Sequence, residues 1–217
     1  LAHQLTYFHL FKTTTLTYRY FIVNKPANMV SQFVSPDPVR LLGDLNFHFP
    51  EDTHAVGRLD STSEGLLLLT TDKRLTRLLY SAGIAHQRSY LVMVQNSVSE
   101  ETLQQLQKGV TIPAVGGEPY IAKPVAVDRV RKATTIYPYA ADSREAYPHT
   151  WLLITLTEGK FRQVRKMVMA VRHRCLRLIR VSIGGLLLED LPPGGVREVT
   201  QETLFRQIGI EEPDGNR

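Results

Sequence analysis

The chain has 217 residues, is 43% hydrophobic and carries eight Phe, nine Tyr and one Trp, which supplies a real core and argues against intrinsic disorder. Its 26 basic residues outnumber 21 acidic ones, for a formal charge of +5, and a single cysteine, Cys175, excludes an internal disulfide and points to a reducing compartment, the cytoplasm. No apolar run approaches the roughly 20 residues that span a bilayer, so no membrane partner is expected.

In chain order, Tyr20 to Val23 reads as a short strand ended by the turn-forming Asn24-Lys25-Pro26. A largely irregular stretch with Pro36, Pro38 and Pro50 follows, with one short helix expected from Val39 to Leu45. Leu66 to Leu69 is apolar at every position, as in a strand covered on both faces or a buried helical turn. Asp72 offers an N-cap to a helix carrying Leu75, Leu78 and Leu79, with Gly83 to stop it. Tyr90 to Val94 is the next strand, and Ser99 caps a helix whose first turn holds Glu100 and Glu101 and which ends at Gly109. Ile121 to Val130, interrupted by Pro124, and Thr150 to Leu156 read as longer strands. Val164, Met167, Val168 and Val171 share a helical face between Phe161 and Val171; Leu176 to Ile183 returns to strand character, and a short apolar run, Leu186 to Leu188, lies between glycine- and proline-rich turns. Several hairpin-like strands and three helices predict an α+β fold, with two lobes sharing one continuous sheet.

Charge is concentrated. Eight of the basic residues fall between Lys160 and Arg180, and no acid occurs between Glu158 and Glu189, a pattern that attracts a polyanion or forms one solvated helix face. Arg162, Arg165 and Lys166 leave the apolar seam of the expected helix, which suits Arg165 to meet a carboxylate and Arg162 or Lys166 to meet phosphate. Asp60 is the sharpest candidate for chemistry: it follows Arg58 by two positions and precedes Gly65 and the leucine run, so buried neighbours can fix it as a nucleophile or base. Arg88-Ser89-Tyr90 joins a phosphate contact to an aromatic platform for a base, although a tyrosine at a strand start is more often a core ring. The seven histidines form no metal motif, the Gly pairs lack nucleotide-cradling spacing, and Cys175 fits a small buried residue; no metal or organic cofactor is expected.

Taken together, Asn24-Lys25-Pro26, Gly57-Arg58-Leu59-Asp60 through Asp72, Tyr90-Leu91-Val92, Glu158 through Met167 and Leu178-Ile179-Arg180-Val181-Ser182-Ile183-Gly184 resemble the ordered motifs of RNA pseudouridine synthases, and most closely the branch that modifies single uridines in ribosomal RNA. The resemblance implies a largely antiparallel mixed sheet in two lobes around a catalytic cleft. It places a pseudouridine synthase domain over residues 20–206, after an extension at 1–19 and before a tail at 207–217. It implies Asp60 as the catalytic aspartate, Tyr90 as the residue that stacks on flipped uracil, and Arg165 as the basic partner of the aspartate. Arg58 would help bind and flip the nucleotide, Leu178 would wall the pocket, and Arg88, Arg162 and Lys166 would meet RNA. The implied partner is 23S ribosomal RNA or a large-subunit assembly intermediate, bound by a monomer. The chain departs from the family pattern at Arg88, where Lys is common, and at Lys73 and Arg172, where Gly is common. Two rival readings predict other arrangements: a glycosidase needs a second carboxylate near Asp60, and a non-catalytic RNA-binding protein leaves Asp60 exposed and unpaired.

Overall fold

The computed structural model describes residues 18–81 and 85–210. In chain order the elements are β1 (Tyr20–Lys25), β2 (His54–Val56), β3 (Glu64–Thr70), α1 (Leu75–Ser81), β4 (Arg88–Gln95), α2 (Glu100–Lys108), β5 (Val110–Ile112), β6 (Tyr120–Ala122), β7 (Ala126–Val130), β8 (His149–Leu156), α3 (Gln163–Ala170), β9 (Cys175–Ile183), β10 (Leu186–Leu187), β11 (Val196–Val199) and α4 (Gln201–Ile208). The main sheet runs β11-β1-β3-β9-β4-β8-β7, with β2 paired to β3 and β10 to β9. Among the described strands of this sheet, only the β3–β9 pair is parallel. This is the expected α+β architecture with a largely antiparallel sheet.

The two faces of the sheet are covered differently. Alternation along each strand sends Ile22, Leu66, Leu68, Leu91, Met93, Ile179 and Val181 to one face, where they form a single core with α1 and α4. On the other face the core is in two pieces. Phe21, Val23, Leu67 and Leu69 pack under the 29–49 segment, and Tyr90, Val92, Leu152 and Ile154 pack with α2 and α3. A cleft opens at the seam between those pieces, with the cleft-facing side of β9 as its floor. The two lobes are therefore halves of one sheet face, joined through a continuous core behind it.

The leucine run of β3 is explained by this layout. Leu66 and Leu68 serve one core and Leu67 and Leu69 another, each at most 1% exposed. Burial of each stabilises the fold by about 1.5–3 kcal/mol. Gly65 is required at the crossing with β9: its φ is +100°, and a Cβ there would lie 2.3 Å from the Arg180 carbonyl oxygen.

Several sequence expectations need correction. The first strand does not end at Val23 but continues through Lys25, because Asn24 and Lys25 find buried partners: Asn24 Nδ2 donates to the Leu191 carbonyl, and Lys25 Nζ to the Pro26, Met29 and Ser61 carbonyls. The helix expected over 39–45 is a single 3-10 turn at Leu42–Asp44, and aromatic packing among Phe21, Phe33, Phe47 and Phe49 holds this segment instead. The strand expected over 121–130 is two strands in different sheets, β6 with β5 and β7 at the edge of the main sheet, divided at Pro124. A fourth helix, α4, accompanies the three expected; Thr200 caps it, and Leu204, Phe205 and Ile208 reach the continuous core. Arg172 adopts a left-handed φ of 65°, the conformation that the family's glycine suits. Gly83, most of the 1–19 extension and residues 211–217 of the tail lie outside the described residues. No helix among those described is long and apolar enough to cross a membrane, and no cluster of three metal-ligating side chains occurs among them.

Candidate active site

Asp60 lies on the loop between β2 and β3, and the fold restrains that loop nearly residue by residue. Ser31 Oγ bonds both the carbonyl and the amide of Leu59, at 3.0 Å each. Lys25 Nζ donates to the Ser61 carbonyl at 3.2 Å, Arg165 Nη2 to the Thr62 carbonyl at 3.0 Å, and the Ser63 amide turns back to the Asp60 carbonyl at 3.0 Å. The carboxylate itself is left available. Its side chain is 26% exposed, its ion pair is with Arg162 at 4.0 Å, and no hydrogen bond reaches it from the described residues. A fixed backbone beneath a lightly engaged carboxylate suits a group that must meet a substrate.

The cleft has a volume of about 820 Å³ and brings together Asp60, Tyr90, Arg58, Arg88, Arg162 and Leu178. Tyr90 and Leu178 are 8% and 5% exposed and form an apolar wall, while Arg58 and Arg162 are exposed at the rim. The Arg88 guanidinium lies over the Tyr80 ring at 5.3 Å and donates to the Thr157 carbonyl at 3.4 Å. These six expected site residues thus converge on one space.

Arg165 and Lys166 do not line it. The expected ion pair between Arg165 and Asp60 is absent; the guanidinium within 4.0 Å is that of Arg162. Arg162 stands at the N-cap of α3 in left-handed backbone, on the cleft side, whereas Arg165 lies nearly one turn further along and meets the loop from behind. Besides Thr62, it approaches Ser63 Oγ and Cys175 Sγ, both at 3.5 Å. Lys166, expected on phosphate, instead donates to the Pro113 carbonyl at 2.8 Å and lies over the Phe161 ring, so it ties α3 to the segment after β5. Cys175 is half-buried, and burial pushes its thiol pKa up.

Four cleft or loop residues escaped the sequence reading as individuals. Lys25 is 0% exposed and anchors the Asp60 loop; burial lowers its pKa to about 8, against the raising pull of Glu64 and Asp60. Its sequence signal was only its place before Pro26. Lys160 and Phe161 add a cation and an exposed aromatic ring to the lining. Arg180 lies on the floor; a buried arginine inside the apolar run Leu178 to Ile183 was the available signal. Glu158 also lines the cleft, the second acid that a glycosidase requires, but it accepts from Gln163 Nε2 while Gln163 Oε1 accepts from the Lys160 amide, so it closes the turn before α3.

Comparison with known proteins bears on this geometry. The family model described as RNA pseudouridylate synthase matches residues 19–170. Ribosomal large subunit pseudouridine synthase E of Vibrio parahaemolyticus is 38% identical over 181 residues, 82% of this chain and 72% of the relative. The protein of the same name from Xanthomonas axonopodis pv. citri is 38% identical over 176 residues, 79% of this chain and 89% of the relative. Ribosomal small subunit pseudouridine synthase A of Escherichia coli is 31% identical over 187 residues, 86% of this chain and 72% of the relative. A solved pseudouridylate synthase superposes with a TM-score of 0.69 at 25% identity, covering 88% of this chain and 74% of that one. With a restrained aspartate, a tyrosine and a basic rim gathered on one cleft, the chain belongs to the RNA pseudouridylate synthase family.

Proposed function

We propose that this enzyme isomerises uridine to pseudouridine in ribosomal RNA, and that its substrate is the large-subunit 23S RNA or a large-subunit assembly intermediate. The observation that carries the reading is the Asp60 carboxylate, held on a clamped loop and facing the cleft that Tyr90 lines. The large-subunit assignment rests on the relatives named for that subunit, at 38% identity against 31% for the one named for the small subunit. All the residues given a role here come from one chain, which supports a monomer.

The reaction breaks the bond from ribose C1′ to uracil N1, turns the detached base in place, and joins C1′ to C5, whose proton is lost. Because these atoms are inaccessible in a stacked helix, the uridine is first extruded. Asp60 then adds to C1′ or takes a sugar proton to give a glycal; either route uses one carboxylate at one place. Tyr90 and Leu178 keep the detached base from leaving, and Tyr90 assists loss of the C5 proton. Arg162 faces the carboxylate, the place the sequence reading gave to Arg165. Arg165 positions Asp60 through the backbone of the loop. Arg58 and Arg162 place the RNA backbone, and Arg88, buried over the Tyr80 ring, meets the nucleotide from inside the cleft.

The decisive measurement is to incubate the protein with unmodified large- and small-subunit ribosomal RNA and map pseudouridine, alongside Asp60→Asn. Pseudouridine at a defined large-subunit position with the native chain, and a loss of about 10⁴-fold or more with Asp60→Asn, is the expected outcome. Equal product from the two proteins removes Asp60 from the mechanism, and product in small-subunit RNA alone reverses the substrate assignment.

A further inference from the structure

Arg180 is an unused donor at the floor of the cleft. It is 4% exposed, and β9 faces it toward the side of the sheet that carries Leu178 and Tyr90. Tyr90 and Arg180 are direct partners across the β4–β9 pair, at a register shift between Ser89 and Tyr90. Such irregularities re-aim side chains beside active sites. Nε donates to the Leu66 carbonyl at 2.7 Å, which fixes the plane of the guanidinium. Nη2 is buried and no acceptor among the described residues reaches it; no carboxylate there lies within 4.0 Å of the group. A buried cation with one partner destabilises the fold unless something else supplies the missing acceptor.

We propose that Arg180 reads the flipped base, its guanidinium donating to O4 of the bound uracil and so selecting uridine over cytidine. This rests on the pseudouridine synthase reading of the cleft. Phosphate is the weaker candidate because the exposed cations, Arg58, Lys160 and Arg162, are at the rim, whereas Arg180 is at the bottom beside the apolar wall. O4 is preferred to O2 because O2 flanks the glycosidic bond, where Asp60 must act, and the ion pair of that carboxylate is with Arg162 rather than Arg180. Cytosine carries an amino group in place of O4. That swap sets donor against donor and leaves the buried guanidinium short of an acceptor, the situation in which a polar site rejects an analogue most strongly.

The test uses a short RNA bearing the mapped target, bound by the Asp60→Asn protein so that no turnover intervenes. Affinities are measured with uridine, cytidine, 4-thiouridine and 2-thiouridine at the target position, for Asp60→Asn alone and combined with Arg180→Met or Arg180→Lys. With Arg180 present, cytidine is expected to bind about tenfold or more weakly than uridine, 4-thiouridine to weaken binding severalfold, and 2-thiouridine to leave it unchanged. With Arg180→Met the uridine preference should fall to about twofold or less. A retained tenfold preference overturns the proposal, as does sensitivity to 2-thiouridine alone. If Arg180→Met does not fold, Arg180→Lys and the two thiouridine arms decide it. Absence of pseudouridine in any ribosomal RNA at the mapping stage would instead refute the underlying reading, before any affinity is compared.

Discussion

Two buried arginines three residues apart on β9 meet opposite fates. Arg177 faces the continuous core and is saturated: Nε and Nη2 clasp both oxygens of Glu64 at 2.8 Å each, and its Nη groups also donate to the carbonyls of Tyr139, Ala140 and Ala141. Arg180 faces the cleft and has a single acceptor among the described residues, the Leu66 carbonyl. Since both are charged and both are buried, burial alone does not separate a structural cation from a functional one. The number of partners supplied by the fold does. Arg177 joins the start of β3, immediately after the Asp60 loop, to the 139–141 segment, so it belongs to the frame behind the site.

The largest effect should come from breaking that frame. Arg177→Met strands Glu64, whose side chain is 13% exposed, without its cation, and should cost about 3–5 kcal/mol of unfolding free energy in urea titrations at 25 °C. Adding Glu64→Leu should recover much of it, because the unpaired charge then disappears. A single-variant loss below about 1 kcal/mol would show that the carbonyl network holds the segment without the ion pair.

Lys25 lies between the two cases, with three carbonyl acceptors but, among the described residues, no carboxylate in contact. Its pKa is lowered to about 8 from an ordinary 10.5, so between those values the unfolded chain binds more protons than the folded one. Stability contributed by this group therefore rises with pH across that window, by at most about 3 kcal/mol. Comparing native and Lys25→Met proteins from pH 7.5 to 10.5 should show the rising component only in the native protein. Parallel profiles would mean that Lys25 titrates alike in both states.

What the sequence disclosed follows the range over which each signal acts. Alternation and capping act locally, so β3, the Ser99-capped α2 and the amphipathic α3 were legible. Asp60 and Tyr90, which the fold brings to one cleft, stand out in the sequence because their motifs are contiguous. Partner assignments were not: choosing between Arg162 and Arg165 for Asp60 depends on the left-handed N-cap at Arg162, which turns one guanidinium into the cleft and leaves the other behind the loop. Lys25 looked like a turn residue beside Pro26, and only the tertiary fold brings the Ser61 carbonyl, 36 positions away, to its ammonium. Arg177 and Arg180 belong to the same run of positive charge, and their different environments arise from the pleat of β9 and the seam between two half-cores.

The smallest stability change is expected at Arg180. Arg180→Met removes one hydrogen bond to Leu66, a loss of about 1 kcal/mol, but it also removes a buried charge that the fold does not fully satisfy, and an apolar chain of similar length fits beside Leu178. These terms oppose each other, so unfolding free energy should stay within about 1 kcal/mol of the native value while discrimination between uridine and cytidine collapses. The same substitution three residues earlier should do the reverse, unfolding the frame without touching a base. A drop of about 3 kcal/mol or more for Arg180→Met would place it with Arg177, as a cation that the fold needs for itself.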